Sequence, residues 1–383
     1  MEKTADIVIV GGGIIGTSIA YHLARKKARK IVLFEKAMLG EGSTGKCAGG
    51  IRAQFSTEIN IRLSLESFKT WNHFEELFDT ELGFRRVGYL FLAATDEEWE
   101  VFQANARLQH QLGVKAELLT PGEIQKRWPF LRTDDLRGGT FCSWEGYAGP
   151  YEALSAFARG ARRSGVKIYE GTEVIGILKN HGRILGVRTS QGDMEAPVVV
   201  NAAGPHAGQI GEMAGVEIPV KPYRRQLFFT APFPHIPDAI PLVIDFHRGW
   251  YFRREGPGLL ISGPKDPFPS FNLNVDYEAM VEVAENSMYR VPILEKAEIN
   301  RGWAGLYEIS PDHHAILGEA PGLKGFFLAN GFSGHGFQHS PAVGKVMAEL
   351  ILGEVPSIDI SSLSIERFRT GRLIPEPLTA FKE

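Results

Sequence analysis

The sequence predicts a chain of the α/β class combined with antiparallel β: a nucleotide-binding domain carrying an inserted, sheet-based second domain. Three observations predict it. A β-branched run, Asp6–Val10 (DIVIV), leads straight into Gly11-Gly12-Gly13-Ile14-Ile15-Gly16. A second apolar run, Ile31–Phe34, ends in the acidic Glu35. Residues 218–311 then alternate polar and apolar positions as half-buried strands do.

The run before the glycines lacks polar interruptions, as expected of a parallel strand buried on both faces. The helix that follows sets Ile15, Ile19, Ala20 and Leu23 on one face. Gly11 permits the tight turn, Gly13 lets a pyrophosphate approach the backbone, and Gly16 lets helix and strand pack closely. The helix start offers free N–H groups and the positive end of its dipole to phosphate. Glu35, 24 residues after Gly11, is placed to accept hydrogen bonds from ribose hydroxyls. With strand, helix and acid in order, the glycines read as a Rossmann-type motif.

That motif alone does not separate FAD from NAD. A second loop does, Gly40-Glu41-Gly42-Ser43-Thr44-Gly45, followed by Cys47-Ala48-Gly49-Gly50-Ile51-Arg52. A nicotinamide fold does not need it, whereas a larger, extended cofactor does, with Ser43 and Thr44 near its pyrophosphate. The basic run Arg25–Lys30 reads as a solvated helix end, because Ile31 opens the next strand.

Composition narrows the class. The chain has 383 residues, of which 44% are hydrophobic and 23% charged, enough for a large core. A net charge of −3 leaves no nucleic-acid footprint. Two cysteines, Cys47 and Cys142, support neither a disulfide framework nor a structural metal site, so no metal is expected. Structure starts near Asp6, which leaves no room for a signal peptide, and no apolar run is long enough for a membrane span. A cytoplasmic setting is expected.

Further along, Ala153–Ser164 reads as a helix. Strands are expected near Val166–Tyr169, Thr172–Leu178, Ile184–Thr189 and Pro197–Val200, the last running into Asn201-Ala202-Ala203-Gly204-Pro205-His206. Small residues at that turn let backbone approach a cofactor. A third block, from Gly325 to Pro341, is a strand, a glycine-rich loop and a helix start. There Ser340 reads as the N-cap, Pro341 as first-turn residue, and Gly353 follows the last apolar position. Between these blocks, strands at Gln226–Thr230, Leu242–Asp245, Trp250–Arg253 and Leu259–Ser262, a helix at Tyr277–Arg290 and residues 83–145 read as one antiparallel sheet domain. The expected division is residues 1–82, 146–217 and 312–383 for the cofactor domain, and 83–145 with 218–311 for the substrate domain.

On the blocks 6–55, 146–215 and 303–352 the chain resembles the FAD-dependent amine oxidoreductases, the family of D-amino-acid oxidase, glycine oxidase and sarcosine oxidase. It is most similar in pattern to sarcosine oxidase and to the β subunits of heteromeric sarcosine oxidase and proline dehydrogenase. The resemblance implies an FAD site formed by Gly11, Gly13, Ile14, Ile15, Gly16, Glu35, Lys36, Ser43, Thr44, Gly50 and Ile51. It adds Val174 at the adenine, Ala203 and Gly204 in the turn, and Gly331, Gly334, His335, Gly336, Phe337 and Gln338 at the flavin. Negative charge on the reduced flavin's N1–C2=O edge would meet that loop and helix end. The implied reaction moves a hydride equivalent from the carbon beside an amine nitrogen to flavin N5, followed by imine hydrolysis. A small amino acid offers little to grip except its carboxylate, so an arginine is expected.

Arg52 matches the carboxylate-binding arginine of monomeric sarcosine oxidases, and Tyr251 an active-site tyrosine on the sheet. His335 is expected in a positional role. Gln338 stands where those enzymes have a lysine, which weakens the ionic grip and opens the pocket to proline or another N-alkyl amino acid. Gly305 replaces the cysteine that carries covalent FAD, so FAD should be non-covalent, and Cys47 is an unfavoured alternative attachment point. No histidine lies between His110 and His181, so a covalent second flavin is unsupported. Leu260 replaces the lysine that favours reaction with oxygen, with Lys265 as a substitute. The acceptor is therefore oxygen or an electron-accepting partner, and a hetero-oligomer subunit is one reading. Primary-amine oxidation and a non-catalytic flavoprotein assembly factor are the others.

Overall fold

The computed structural model describes residues 3–263 and 266–377. The expected first strand forms at Ile7–Val10, with all four residues buried. It is buried on both faces because strands flank it in parallel register, Val198–Asn201 on one side and Ile31–Phe34 on the other. Alternate side chains enter opposite cores. Ile7 and Ile9 join Ile19 and Leu23 of the helix Ile14–Arg25, while Val8 and Val10 join Val174 and Val187. The sheet has six strands in the order 316–319, 326–330, 198–201, 7–10, 31–34, 167–169, antiparallel only between the first two. Helices Ile14–Arg25, Pro150–Arg163 and Gly336–Ile351 cover one face. The antiparallel sheet formed by Val174–Asn180, Arg183–Thr189 and Gly192–Glu195 covers the other.

A second sheet has eight strands, ordered 299–309, 221–230, 258–262, 250–255, 242–245, 89–93, 138–142, 117–119. One face packs Trp250, Phe252 and Ile261 against Val283 of the helix Tyr277–Arg290. The opposite face is aromatic, with Tyr89, Phe91, Phe229 and Tyr251. Among the described residues no helix is long and apolar enough to cross a membrane.

Three expectations are corrected. The large sheet is mixed rather than antiparallel throughout, because Tyr89–Ala93 runs parallel to Leu242–Asp245. Those strands come from separate stretches of chain, so no hairpin forces them antiparallel. The helix Gly336–Ile351 starts four residues before the expected cap at Ser340, and Pro341 lies inside it. Proline there withholds the N–H that would reach the Phe337 carbonyl. The Ser340 hydroxyl donates to that carbonyl instead, at 2.8 Å. From the neighbouring helix Glu58–Asn72, Trp71 donates to the Gln338 carbonyl (3.0 Å) and Ser67 accepts from the Ala342 N–H (3.2 Å). Those three bonds make an interior proline tolerable. The helix expected from Ala153 likewise begins earlier, at Pro150, after the extended Gly149.

Candidate functional site

A cavity of ≈ 450 Å³ runs between the parallel sheet and the aromatic face of the mixed sheet. That volume is in the range of sites that bury a cofactor-sized ligand. Its nucleotide end is built largely from main chain. Gly11 has φ +113°, and a Cβ on it would stand 2.4 Å from the Ala202 carbonyl oxygen. A Cβ on Gly16 would meet the Gly11 carbonyl oxygen at 2.0 Å, so only glycine lets the helix approach its own turn this closely.

The helix opens with no side-chain cap, and the Ile14 N–H donates to the Thr44 hydroxyl at 3.0 Å. Thr44 therefore stands at the helix end where phosphate is expected. Glu35 accepts from the N–H groups of Gly12 (2.7 Å) and Ala37 (2.9 Å), which ties the second strand's end to the glycine turn. Each carboxylate oxygen keeps a further lone pair for a ribose hydroxyl. Nearby, Lys36 Nζ lies 3.0 Å from His206 Nε2. The loop after Gly40 is clamped from the mixed sheet: Ser43 donates to the Leu306 carbonyl (2.6 Å), Trp303 to Lys46 (3.3 Å) and Arg253 to Ala48 (2.8 Å).

The other end is built from side chains. Arg52 follows the strand Gly50–Ile51 and is buried. Its guanidinium lies 3.7 Å above the Phe55 ring, donates to the Gln54 carbonyl, and places Nη2 3.3 Å from His335 Nε2. Burial, reinforced by the Arg52 charge, holds the His335 ring well below the ordinary imidazole range, so His335 is neutral and accepts. Gln338 accepts from the Arg52 N–H at 2.9 Å. Behind them Glu145 is fully buried and accepts from the N–H groups of Ala53 (2.6 Å) and Gln54 (2.9 Å) and from the Gln54 amide (2.7 Å). Burial pushes its carboxyl up to about 7 despite those bonds. Glu308, on the cavity wall, is also raised to about 7 by burial, against the N–H groups of Gly331 and Phe332.

Of the residues singled out from sequence, Gly11, Gly13, Ile14, Ile15, Glu35, Lys36, Ser43, Thr44 and Gly50 line the cavity. Arg52, Val174, Ala203, Gly204, Tyr251, Gly334, His335, Gly336, Phe337 and Gln338 do so as well. Gly16, Ile51 and Gly331 stand behind the wall, where they shape the backbone that forms it. A Cβ at Gly305 would lie 3.0 Å from Lys46 Cβ, so little room exists for the cysteine that anchors flavin elsewhere. Burial pushes the Cys47 thiol up to about 11, which keeps it protonated and a poor nucleophile. Leu260 is buried in the mixed sheet and does not line the cavity, and Lys265 lies outside the described residues.

Sequence reasoning missed Arg225, Tyr89 and Phe91, which also line the cavity. The available signal was alternation: Arg225, Leu227 and Phe229 share one face of the strand Lys221–Thr230, and that face is aromatic.

The glycine cradle, the free helix end and the acid on the second strand fit FAD. The family model described as FAD dependent oxidoreductase matches residues 6–350. The chain is 32% identical to FAD-dependent oxidoreductase domain-containing protein 1 of Bos taurus, over 98% of this chain and 87% of that protein. It is 29% identical to the mitochondrial sarcosine dehydrogenase of Homo sapiens, over 96% of this chain but 42% of the longer protein. Among solved structures, the L-proline dehydrogenase from P. horikoshii superposes with a TM-score of 0.92 at 35% identity, covering 98% of this chain and all of that one.

Proposed function

The chain belongs to the FAD-dependent oxidoreductase family, and on that premise we propose that it oxidises the C–N bond of a small secondary or N-methyl amino acid. Members of this family act as FAD-dependent amino acid oxidoreductases. The observation that carries the finer reading is Arg52, a buried guanidinium on the cavity wall, stacked on Phe55 and 3.3 Å from the His335 ring. A carboxylate entering beside it gains charge-assisted bonds, each worth ~1.5–3 kcal/mol. FAD, when bound, supplies the two-electron acceptor. Two electrons and two protons leave the substrate, a C=N bond forms, and water then releases a carbonyl compound and an amine.

The chain's own residues hold the substrate. Arg52 fixes the carboxylate, and Gln338, bonded through its carbonyl to the Arg52 main chain, offers its amide nitrogen as a second donor. Neutral His335 orients Arg52, a positioning role rather than proton transfer. Tyr251 walls the pocket from the sheet. Reduced cofactor passes its electrons to oxygen, giving hydrogen peroxide, or to an electron-accepting partner, within a hetero-oligomer if one forms. A cytoplasmic setting belongs to this reading, and the free thiols of Cys47 and Cys142 accord with any reducing compartment.

The test is anaerobic bleaching of the purified flavoprotein by sarcosine, L-proline, D-proline, glycine and D-alanine, followed by air. Bleaching by a secondary amine is expected. Bleaching by glycine or D-alanine alone would replace the reading with primary-amine oxidation, and bleaching by none would leave a non-catalytic flavoprotein. Prompt recolouring in air identifies oxygen as acceptor, and slow recolouring points to a dehydrogenase with another acceptor.

A further inference from the structure

After Ser262 the chain leaves the mixed sheet, and it returns as the helix Tyr277–Arg290. Between them, residues 266–276 form a strap with neither helix nor strand, yet tied down along its length. The strand Gly258–Ser262 pairs with Lys221–Thr230 only as far as Leu227. From there the strap takes its place. The Asp266 N–H donates to the Arg224 carbonyl (2.9 Å) and the Ser270 N–H to the Pro222 carbonyl (2.8 Å). The buried Arg224 side chain pins both ends, donating to Asp266 (2.7 Å), to the Asn274 carbonyl (2.5 Å) and to both oxygens of Asp276. One guanidinium serving two carboxylates fixes the strap by geometry as well as by charge.

Held in this way, the strap reaches from the mixed sheet to the cofactor domain. Phe271 stacks on His206, with ring centroids 4.7 Å apart and planes 13° from parallel. His206, in the turn after Asn201, lines the cavity, as does Leu273 of the strap. The edges of the His206 ring are engaged as well: Nε2 lies 3.0 Å from Lys36 Nζ, and Nδ1 2.8 Å from the Gln209 side-chain oxygen. Burial holds the ring below the ordinary imidazole range, so it is neutral and accepts from the Lys36 ammonium. Lys36 follows Glu35, the acid placed for ribose hydroxyls, which sets His206 on the ribose side of the cavity. The glycine turn and helix end account for the pyrophosphate, and the strap stands at the nucleoside beyond it. A plate fixed on three sides gives up little freedom when a ligand settles against it. Leu273 keeps 44% of its surface, apolar area that a nucleoside can bury.

We propose that the strap 266–276 is part of the FAD site. Through Leu273 and the Phe271–His206 plate it closes the cavity on the adenosine side, and so sets how long FAD stays bound. The proposal is independent of which amine is oxidised.

Release of FAD from diluted holoenzyme, read by ultrafiltration and flavin absorbance, tests it without turnover. Phe271→Ala is expected to quicken release about two- to tenfold, the worth of one aromatic pair, and Phe271→Trp to keep it slow. His206→Ala should quicken release too, and Phe271→Ala should add nothing in that background, because Phe271 acts through His206. Phe268, on the same strap, is 77% exposed, and Phe268→Ala should leave release unchanged. Leu273→Ala removes the strap's own cavity contact without touching the stack, and faster release is expected there as well. Wild-type release from both His206→Ala and Leu273→Ala would overturn the proposal, whether or not Phe271→Ala folds. Equal quickening by Phe268→Ala would overturn it too, since any disturbance of the strap would then loosen the protein. Fully additive effects of Phe271→Ala and His206→Ala would remove the plate as the route.

Discussion

At its nucleotide end the cavity is main chain: a glycine turn, the start of one helix, and a glutamate that binds two backbone N–H groups. At the end proposed to take substrate it is side chains, with Arg52, Arg225, Tyr251, Tyr307 and Gln338 arriving from five separate stretches. Main chain recognises a group shared by many ligands, the pyrophosphate, and any residue that blocks its approach is excluded. Side chains recognise what differs among substrates. The nucleotide end should therefore respond to added volume, and the substrate end to removed charge.

The largest effect is expected from volume. Gly16→Ala places a Cβ 2.0 Å from the Gly11 carbonyl oxygen, a backbone atom that cannot step aside without opening the turn. Overpacking of this kind costs ~1–3 kcal/mol in stability. The protein should purify without its yellow flavin band and melt early. Stoichiometric FAD in the variant would break the contrast, because the turn would then be adjustable.

Removed charge comes next. Arg52→Ala should keep FAD and lower kcat/KM by ~10²–10⁴-fold, from two lost charge-assisted bonds of ~1.5–3 kcal/mol each. Steady-state kinetics beside the absorbance ratio reads both quantities at once. Loss of FAD together with activity would mean that the two ends are not separable.

The same contrast explains what the sequence made legible. The turn Gly11–Gly16 and the acid Glu35 are constrained by covalent geometry over a short stretch, so spacing alone reveals them. Alternation sets Arg225 on one face with Leu227 and Phe229, but that this face meets the cavity is decided by pairing across the sheet, to Gly305 on one side. The start of the helix Gly336–Ile351 is hidden in the sequence because Pro341 looks like a first-turn residue. Its tolerance inside the helix depends on Trp71 and Ser67, some 270 positions away in the chain. By contrast, the helix Asp96–Gln111 had a local signal that went unread, the capping box of Thr95 with Glu98.

A pH measurement sharpens the comparison. Glu145 is raised to about 7 by burial, so its neutral form is favoured in the fold. That stabilisation is full below the ordinary carboxylate value of 4.5 and is lost as pH rises through about 7. Glu308 carries the same sign. Melting temperature should thus fall between those pH values. Glu145→Gln should flatten that fall, recovering on the order of 1–3 kcal/mol at the upper end. An unchanged pH slope would remove Glu145 from the account. Since Glu145 holds the N–H groups that follow Arg52, a change in KM would accompany the flattening if the substrate end is as charge-dependent as proposed.

The smallest effect tests whether side chains matter at the nucleotide end at all. The Thr44 hydroxyl accepts from the Ile14 N–H, and its own proton remains to donate to a phosphate oxygen. Thr44→Val leaves the volume and removes both bonds, at a cost of ~1 kcal/mol. FAD should dissociate ~5–10-fold more readily, by that same energy, with kcat unmoved at saturating FAD. Thr44→Ser should restore the affinity, because only the hydroxyl is needed. If valine binds FAD as tightly as threonine, the helix N–H groups alone carry the phosphate, and the nucleotide end is main chain without qualification.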